Sequence, residues 1–296
     1  MAATRARKPA TAKSVKSAQP ELVASSRVRK RQYGRNHAYY LMTDHGEVKL
    51  DGVTTLIGDG MRKKALEEWA GNETAKYAVD HWDELGELSM SNRLETLKKA
   101  RYQVRDEAAA RGTLVHALAE RIAAGQEVEV PDDIAGHVES AVRFLDEWQI
   151  RPVLSEATVW SEAGMYGGTL DGVATSDVWD AHPAGGRGVE HRVILFDWKT
   201  NRSGIFGETA LQLAGYGNAE YFVGVDGADH PVSELGITDH WAIWVRADGY
   251  SVYPMERGPQ VFRTFQLVAS VARRTGTRDA MDALKGPELR ADGVAA

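Results

Sequence analysis

The hydrophobic positions of the first half of the chain have strand spacing at the start and helix spacing afterwards. Two short apolar stretches, at residues 39–42 and 48–50, flank a turn at residues 44–46 and predict a pair of strands. Apolar residues then recur every three or four positions, which is the period of an amphipathic helix. The helices predicted in this way cover residues 62–82, about 91–124 and about 132–149.

The second half of the chain has a different pattern, in which strands predominate. Residues 153–160 and 169–175 predict a hairpin across a glycine-rich turn at residues 164–168. Further elements are a strand at 193–198, a helix at 206–223, a hairpin formed by 241–245 and 250–253, and a helix at 259–273. This order predicts an α/β fold with a mixed central sheet flanked by helices and preceded by a helical lobe.

The composition excludes several classes of site. The chain has 296 residues and no cysteine, so disulfides, thiolate zinc sites, thiol nucleophiles and cysteine-ligated iron–sulfur clusters are all excluded. Any metal must therefore bind oxygen and imidazole ligands. The sequence contains no apolar run near the roughly 20 residues that cross a bilayer, and its start lacks a secretory signal. We expect a cytoplasmic protein without a membrane partner.

The charge is unevenly distributed along the chain. The formal net charge is −6, yet residues 1–32 carry nine Lys or Arg against the single acid Glu21. This composition predicts a disordered basic arm that could contact phosphates, although a solvated tail without a specific role fits equally well.

The sequence Leu195-Phe196-Asp197-Trp198-Lys199 contains the most informative pair of polar residues. On a strand, Asp197 and Lys199 lie on the same face, where a carboxylate can bind a divalent cation beside an amine. A same-face surface ion pair is the structural alternative. Glu47-Val48-Lys49 has the same spacing but no supporting context, so the spacing alone is weakly diagnostic.

Two further polar positions could complete a site. His116 and Glu120 are four residues apart and share a helix face, and Gly112 one turn earlier would let backbone or a phosphate approach closely. Asp171 lies inside an otherwise apolar predicted strand, in the segment Gly168-Thr169-Leu170-Asp171-Gly172, where a cation shared with Asp197 could compensate its charge. Alternatively, the first pair lies on a solvated face and Asp171 is a turn residue. Two carboxylates with one imidazole favour Mg²⁺ or Mn²⁺ over zinc.

Candidate substrate contacts follow the Asp197 strand and precede His116. Gln212 and Tyr216 are one helical turn apart and could contact a phosphate or a base, or else form a helix edge that faces water. A stripe of Lys98, Arg101 and Arg105 could bind a DNA backbone, but nearby acids allow an ordinary salt-bridged face. Arg111, beside Gly112, is a stronger single candidate.

Taken in chain order, these motifs resemble the motif set of RecB-like nucleases in the PD-(D/E)XK superfamily, which includes CRISPR adaptation nucleases and phage-encoded exonucleases. The matching residues are Gly112-Thr113-x-x-His116, Asp171, Asp197-x-Lys199-Thr200 and Gln212-x-x-x-Tyr216. They span about residues 100–225. The resemblance implies a restriction-endonuclease-like core at residues 111–275, after the basic arm at 1–32 and a strand pair with a helical lobe at 33–110. A tail at 276–296 would follow the core.

The resemblance also implies roles for individual residues. Its metal ligands are His116, Asp171, Asp197 and the Trp198 carbonyl, for one or two Mg²⁺ or Mn²⁺ ions. Lys199 would act with Asp171 and Asp197 in catalysis by orienting or activating the attacking water. Gln212, Tyr216 and Arg111 would contact substrate, with Glu120 and Glu156 as further candidates.

The implied activity is hydrolysis of DNA phosphodiester bonds by an exonuclease that leaves 5′-phosphates, in phage recombination or DNA processing. A single-strand annealing protein is a further expected partner. Many relatives carry a four-cysteine iron–sulfur cluster, which this chain cannot form, and this favours the cluster-free phage type. The alternatives are a non-catalytic DNA-end-binding or recombination accessory protein, and a CRISPR-type spacer-processing subunit.

Overall fold

The computed structural model describes residues 25–34, 36–62, 64–123, 126–185 and 191–286. The first 24 residues of the predicted basic arm and the last ten residues of the predicted tail lie outside this part of the chain. Within the arm, residues 28–32 were predicted to be disordered, and this was wrong: they belong to the first strand. Antiparallel pairing with residues 36–41 of the next strand, rather than their own polar composition, explains why they are extended.

The strands of the described part are β1 (Val28–Tyr33), β2 (Asn36–Thr43), β3 (Gly46–Gly52), β4 (Ile150–Ser155), β5 (Thr158–Ser161), β6 (Tyr166–Thr169), β7 (Gly172–Ser176), β8 (Val193–Lys199), β9 (Tyr221–Val223), β10 (Asp229–Pro231), β11 (Asp239–Arg246) and β12 (Gly249–Met255). The helices are α1 (Val53–Gly60), α2 (Lys64–Asp80), α3 (Trp82–Glu87), α4 (Met90–Ala123), α5 (Ala135–Glu147), α6 (Asp177–Asp180), α7 (Glu208–Gly217), α8 (Pro259–Thr275) and α9 (Arg278–Asp282).

These strands form two sheets rather than the single sheet that the sequence predicted. One has seven strands in the order β1-β2-β3-β6-β5-β9-β10, and the other has five in the order β12-β11-β8-β7-β4. Each sheet contains one parallel pair, β3 with β6 and β8 with β11, among antiparallel neighbours. The α/β class with mixed sheets and flanking helices is therefore confirmed. None of the helices in the described residues is both long and apolar enough to cross a membrane.

The predicted hairpin of residues 153–175 passes from one sheet to the other. Its halves pair as β4 with β7 and as β5 with β6. Between the halves, the Glu156 amide donates to the Asp171 carbonyl at 3.1 Å and the Leu170 amide donates to the Ala157 carbonyl at 3.0 Å. Glu156 has a left-handed φ of 46°. The hairpin is thus continuous in hydrogen bonding but bends at Glu156 and Asp171.

The N-terminal strands and the later elements are joined in two places. β3 pairs with β6, so β1 to β3 share a sheet with the hairpin. α4 continues without a break through Gly112 and across the expected boundary between residues 110 and 111. The division of the chain into domains stays a prediction. Any such division has to be consistent with the β3–β6 pairing and with the continuous helix α4.

Two apolar layers cover the five-stranded sheet. On one face, α1, α7 and α8 bury residues such as Leu213 and Phe265 against Leu195 of β8. On the other, α5 buries Phe144 against Ile194 and Trp241. Because side chains alternate along a strand, Asp197 and Lys199 lie on the Leu195 face, next to α7.

The helix that follows β8 is shorter than predicted. The helical spacing extends to residue 223, but α7 ends at Gly217 and residues 221–223 form β9. β9 pairs with β5 at Val159 and Trp160, so tertiary pairing overrides the apolar spacing there.

We expect the contact between α1 and α8 to be intolerant of added volume. An alanine Cβ at Gly60 would lie 2.2 Å from the Val268 carbonyl oxygen, which is backbone and cannot rotate away. Gly60→Ala should lower the free energy of unfolding by about 1–3 kcal/mol, measured by urea denaturation. Gly58→Ala is the matched control on the same helix, because a Cβ there meets nothing within 4 Å. The control should be neutral or stabilised by up to about 1 kcal/mol. Equal stability of the two variants would contradict this close contact.

Candidate active site

Three residues of metal-ligand type converge from distant parts of the chain. His116 of α4, Glu156 at the β4–β5 bend and Asp171 at the β6–β7 bend each offer a ligand atom, and these atoms lie within 4.8 Å of one another. His116 and Asp171 are partly buried and Glu156 is exposed. The group is therefore a mainly oxygen-based cluster with one side open to solvent.

Asp171 lies at a bend and not inside a strand, which corrects the sequence-based placement. Its carboxylate accepts a 2.7 Å hydrogen bond from the Trp198 amide, and its Oδ2 lies 3.9 Å from His116 Nδ1. The Trp198 ring is 6.2 Å from the His116 ring between centroids. Asp171 is thus fixed by the backbone of β8, and the bend brings it beside the imidazole.

Glu156 likewise lies at the bend rather than on the first hairpin strand. Its backbone amide bonds to the Asp171 carbonyl, so the two residues face each other across the hairpin. The sequence marked Glu156 only as a further candidate. The hairpin register counted from the turn would have identified it, because residues 156 and 171 become opposite partners.

α4 approaches the end of β8 very closely beside this cluster. A Cβ at Gly112 would lie 2.8 Å from Thr200 Oγ1. Gly112, where the sequence predicts a close neighbour, therefore lies against Thr200, the residue after Lys199. This approach allows His116, one turn further along α4, to reach the bend.

A second group of polar side chains lies beside the first, on β8 and α7. Asp197, which is 1% exposed, forms an ion pair with Lys199 and accepts a 2.7 Å hydrogen bond from Gln212 Nε2. Lys199 Nζ donates to Gln212 Oε1 at 3.0 Å. Gln212 Nε2 also donates to the Tyr216 hydroxyl at 3.2 Å. The Gln212 amide thus holds the acid and the amine in one fixed arrangement.

The electrostatics of the two groups are linked. Burial and the nearby Asp197 raise the pKa of Asp171 well above its ordinary value. Burial also raises the pKa of Asp197, and Lys199 opposes that shift. Burial, with a contribution from Lys199, lowers the pKa of His116 to about 4. At neutral pH the imidazole is therefore uncharged and has a free lone pair for a metal, while the carboxylates favour a nearby cation.

The remaining predicted residues have different environments. Tyr216 is 3% exposed, and a Cβ at Gly168 would lie 2.4 Å from its ring. Its hydroxyl accepts a hydrogen bond from Gln212, and its contact with substrate stays a prediction. Arg111 is half-buried on α4, and its Nε has no hydrogen-bond partner among the described residues. Glu120 belongs to α4, but its side chain lies outside the described residues, as do the side chains of Arg101 and Arg105.

The structure therefore brings together most of the residues that the motifs selected, but it groups them differently from the predicted set of metal ligands. The three clustered ligand atoms belong to His116, Glu156 and Asp171, whereas Asp197 contacts Lys199 and Gln212. Metal binding by Asp197 and by the Trp198 carbonyl stays a prediction. No protein-family model matches the chain, and no curated protein is significantly similar to it. Membership of a family likewise stays a prediction.

We expect Asp171→Asn to stabilise the metal-free protein. Asparagine keeps the acceptor for the Trp198 amide and removes a buried charge, so the free energy of unfolding at neutral pH should rise by about 1–3 kcal/mol. The folded-state pKa of Asp171 lies above the unfolded value, so the wild type loses stability as pH rises through the folded pKa. The gain from asparagine should accordingly be largest at neutral pH and vanish in acid.

Urea denaturation in EDTA across pH would measure this gain. Repeating it with Mn²⁺ is the control, because a bound ion should stabilise the wild type and leave the variant nearly unchanged. A variant less stable than the wild type in EDTA would contradict the electrostatic account.

Proposed function

We propose that this protein is a metal-dependent DNA exonuclease of the PD-(D/E)XK type that hydrolyses phosphodiester bonds and leaves 5′-phosphates. The observation that carries the proposal is the convergence of the cluster of His116, Glu156 and Asp171 with the Asp197–Lys199 pair at one end of the strands of the five-stranded sheet. A carboxylate, an imidazole and an amine that are far apart in sequence have no structural need to meet at a half-open, electrostatically strained site. Such strain is typical of functional sites.

The topology supports the same proposal. β4, β7 and β8 are antiparallel neighbours, and the connection from β8 to the parallel strand β11 contains α7, β9 and β10. This mixed sheet with α5 on one face and α7 on the other is compatible with the core that the motif resemblance implies. The acidic-x-Lys pair lies at the end of β8, the middle strand of this sheet.

The donor atoms fit Mg²⁺ or Mn²⁺. His116, Glu156 and Asp171 would hold the ion, with Asp197 next to them, and a set of carboxylate oxygens with one imidazole nitrogen suits these hard cations. When bound, the ion would polarise a phosphate and lower the pKa of a coordinated water. The chain has no cysteine, so no iron–sulfur cluster accompanies this site.

Lys199 and Gln212 supply the remaining chemistry. The Lys199 side chain is about one-quarter exposed, so its ammonium is oriented by Asp197 and Gln212 while it remains accessible from the solvent side. In that position the ammonium would orient the attacking water and stabilise the negative charge that develops on the phosphate oxygens. Tyr216 would keep the Gln212 amide in the orientation that this arrangement needs.

The cellular setting of the proposal follows from the same resemblance. We infer a role in phage recombination or DNA processing in a bacterial host cytoplasm, with DNA ends as substrate and a single-strand annealing protein as a candidate partner. Co-purification of the chain with such a protein, or with an integrase, would separate this setting from spacer processing.

We expect Asp197→Ala and Lys199→Ala each to lower DNA cleavage by about 10²–10³-fold, because each removes charge stabilisation at the reacting phosphate. The measurement uses end-labelled single- and double-stranded DNA with Mg²⁺ or Mn²⁺, and gel analysis of the products. The matched controls are Glu47→Ala and Lys49→Ala, which have the same acidic-x-Lys spacing on the exposed first part of β3. They should cleave DNA like the wild type.

Two results would contradict a specific hydrolytic site. If the wild type cleaves neither form of DNA with either metal, hydrolysis is excluded and a non-catalytic DNA-end-binding protein becomes the better interpretation. Equal losses in the β3 controls and the β8 variants would also count against a specific site.

A further inference from the structure

The edge strand β1 directs one lysine toward the candidate active site. In the β1–β2 register, Val28 is opposite Leu41 and Lys30 is opposite Tyr39. Val28, Leu41 and Tyr39 are all buried, so this is the inner face of the hairpin. Strand alternation therefore places Lys30 on the inner face, at the point where the apolar layer ends.

Lys30 contacts a small polar cluster at the end of β6. Its Nζ donates to Thr169 Oγ1 at 2.9 Å, and the Tyr39 hydroxyl lies 2.8 Å from the same oxygen. His37 Nε2 is 2.9 Å from the Tyr39 hydroxyl. Thr169 is two residues before Asp171, which corresponds to roughly 7 Å along a strand. The cluster is thus adjacent to the proposed metal ligands without belonging to them.

Lys30 forms no ion pair with another of the described residues. Among the described residues it has no acidic partner, whereas Arg29 and Arg31 on the opposite face of β1 pair with Glu47. An ammonium has three N–H donors, and only one of them is directed at Thr169. Lys30 is exposed, so the others are accessible to an anion from solvent.

The rest of the cluster is uncharged near neutral pH. Partial burial, with a contribution from Lys30, lowers the pKa of His37. Burial raises the pKa of Tyr39 to about 12, and Glu156 adds to that shift, which is a sign of its proximity. Among Lys30, His37, Tyr39 and Thr169, the positive charge is therefore that of Lys30, and it favours an anion.

We propose that Lys30 and Thr169, with His37 behind them, form a phosphate-binding subsite for a DNA strand, occupied by a backbone phosphate next to the one at the candidate metal centre. This inference rests on the proposed nuclease function and adds a subsite to it. Without DNA, Lys30 extends into solvent with no acidic partner among the described residues. With DNA, it neutralises a phosphate two residue positions from Asp171.

The subsite predicts a specific loss of DNA affinity in Lys30→Ala. Binding is measured by fluorescence anisotropy of a labelled single-stranded oligonucleotide in Ca²⁺, at several salt concentrations, with a gel to verify that the probe stays intact. Loss of one phosphate contact should weaken binding about fivefold at about 0.1 M salt and reduce the slope of log K against log[salt] by about 0.7. In the cleavage assay KM should rise while kcat changes little, because the contact is the same in the ground and transition states.

Arg31→Ala is the matched control, with the same charge change on the same strand but on the opposite face, where Glu47 already pairs with the arginine. It should bind DNA nearly like the wild type. Lys30→Arg should restore most of the affinity. Thermal unfolding of each variant verifies that the fold is intact, and Lys30→Gln provides a second variant if the alanine protein is unstable.

Oligonucleotides with one uncharged methylphosphonate linkage test the ligand directly. In the wild type, one linkage should lower the affinity, and in Lys30→Ala that same linkage should cost nothing further. If the wild type cleaves DNA but Lys30→Ala binds like Arg31→Ala, the subsite is overturned and the proposed function stands. If the wild type neither binds nor cleaves DNA, the proposed function fails and the subsite fails with it.

Discussion

The candidate site depends on the bend in one hairpin, where two backbone hydrogen bonds join Glu156 to Asp171 and Leu170 to Ala157. At that bend the chain leaves the five-stranded sheet and enters the seven-stranded one, so both sheets and their helices meet at the carboxylates. The strand pairs on both sides of the bend contribute to one buried apolar cluster, with Leu154 and Val173 on one side and Val159 and Tyr166 on the other. The position of the two acidic residues is therefore determined by the whole structure and is insensitive to the flexibility of their own side chains.

The same arrangement explains why the site is electrostatically unfavourable by itself. Asp171 and Asp197 are held near each other in surroundings that disfavour ionisation, and Lys199 compensates only part of their charge. Proteins retain such arrangements where a ligand supplies the missing compensation. Under the proposed function, a divalent cation and a polyanionic substrate would supply it in sequence: the cation would neutralise the acids, and Lys199 and Lys30 would then face the phosphates.

Local sequence patterns predicted most individual elements, because their apolar residues keep one period over many positions. α4, α8 and the β11–β12 hairpin lie close to their expected limits. The patterns were wrong where a neighbour decided the structure. The predicted helix beyond Gly217 became β9 because β5 was available to pair with it, and the basic residues 28–32 became β1 because β2 provided a partner. The spacing of apolar residues within a segment does not identify the strand with which that segment pairs.

For the candidate site, residue type and spacing were enough to identify side chains that could act: His116, Asp171, the Asp197–Lys199 pair and Gln212. Their grouping depends on the tertiary structure. It placed Glu156 opposite Asp171, directed Gln212 at both Asp197 and Lys199, buried Tyr216, and brought Lys30 to the end of β6. The physical reason is that spacing determines the face of an element on which a side chain lies, whereas the partner across that face depends on strand register and packing between distant segments.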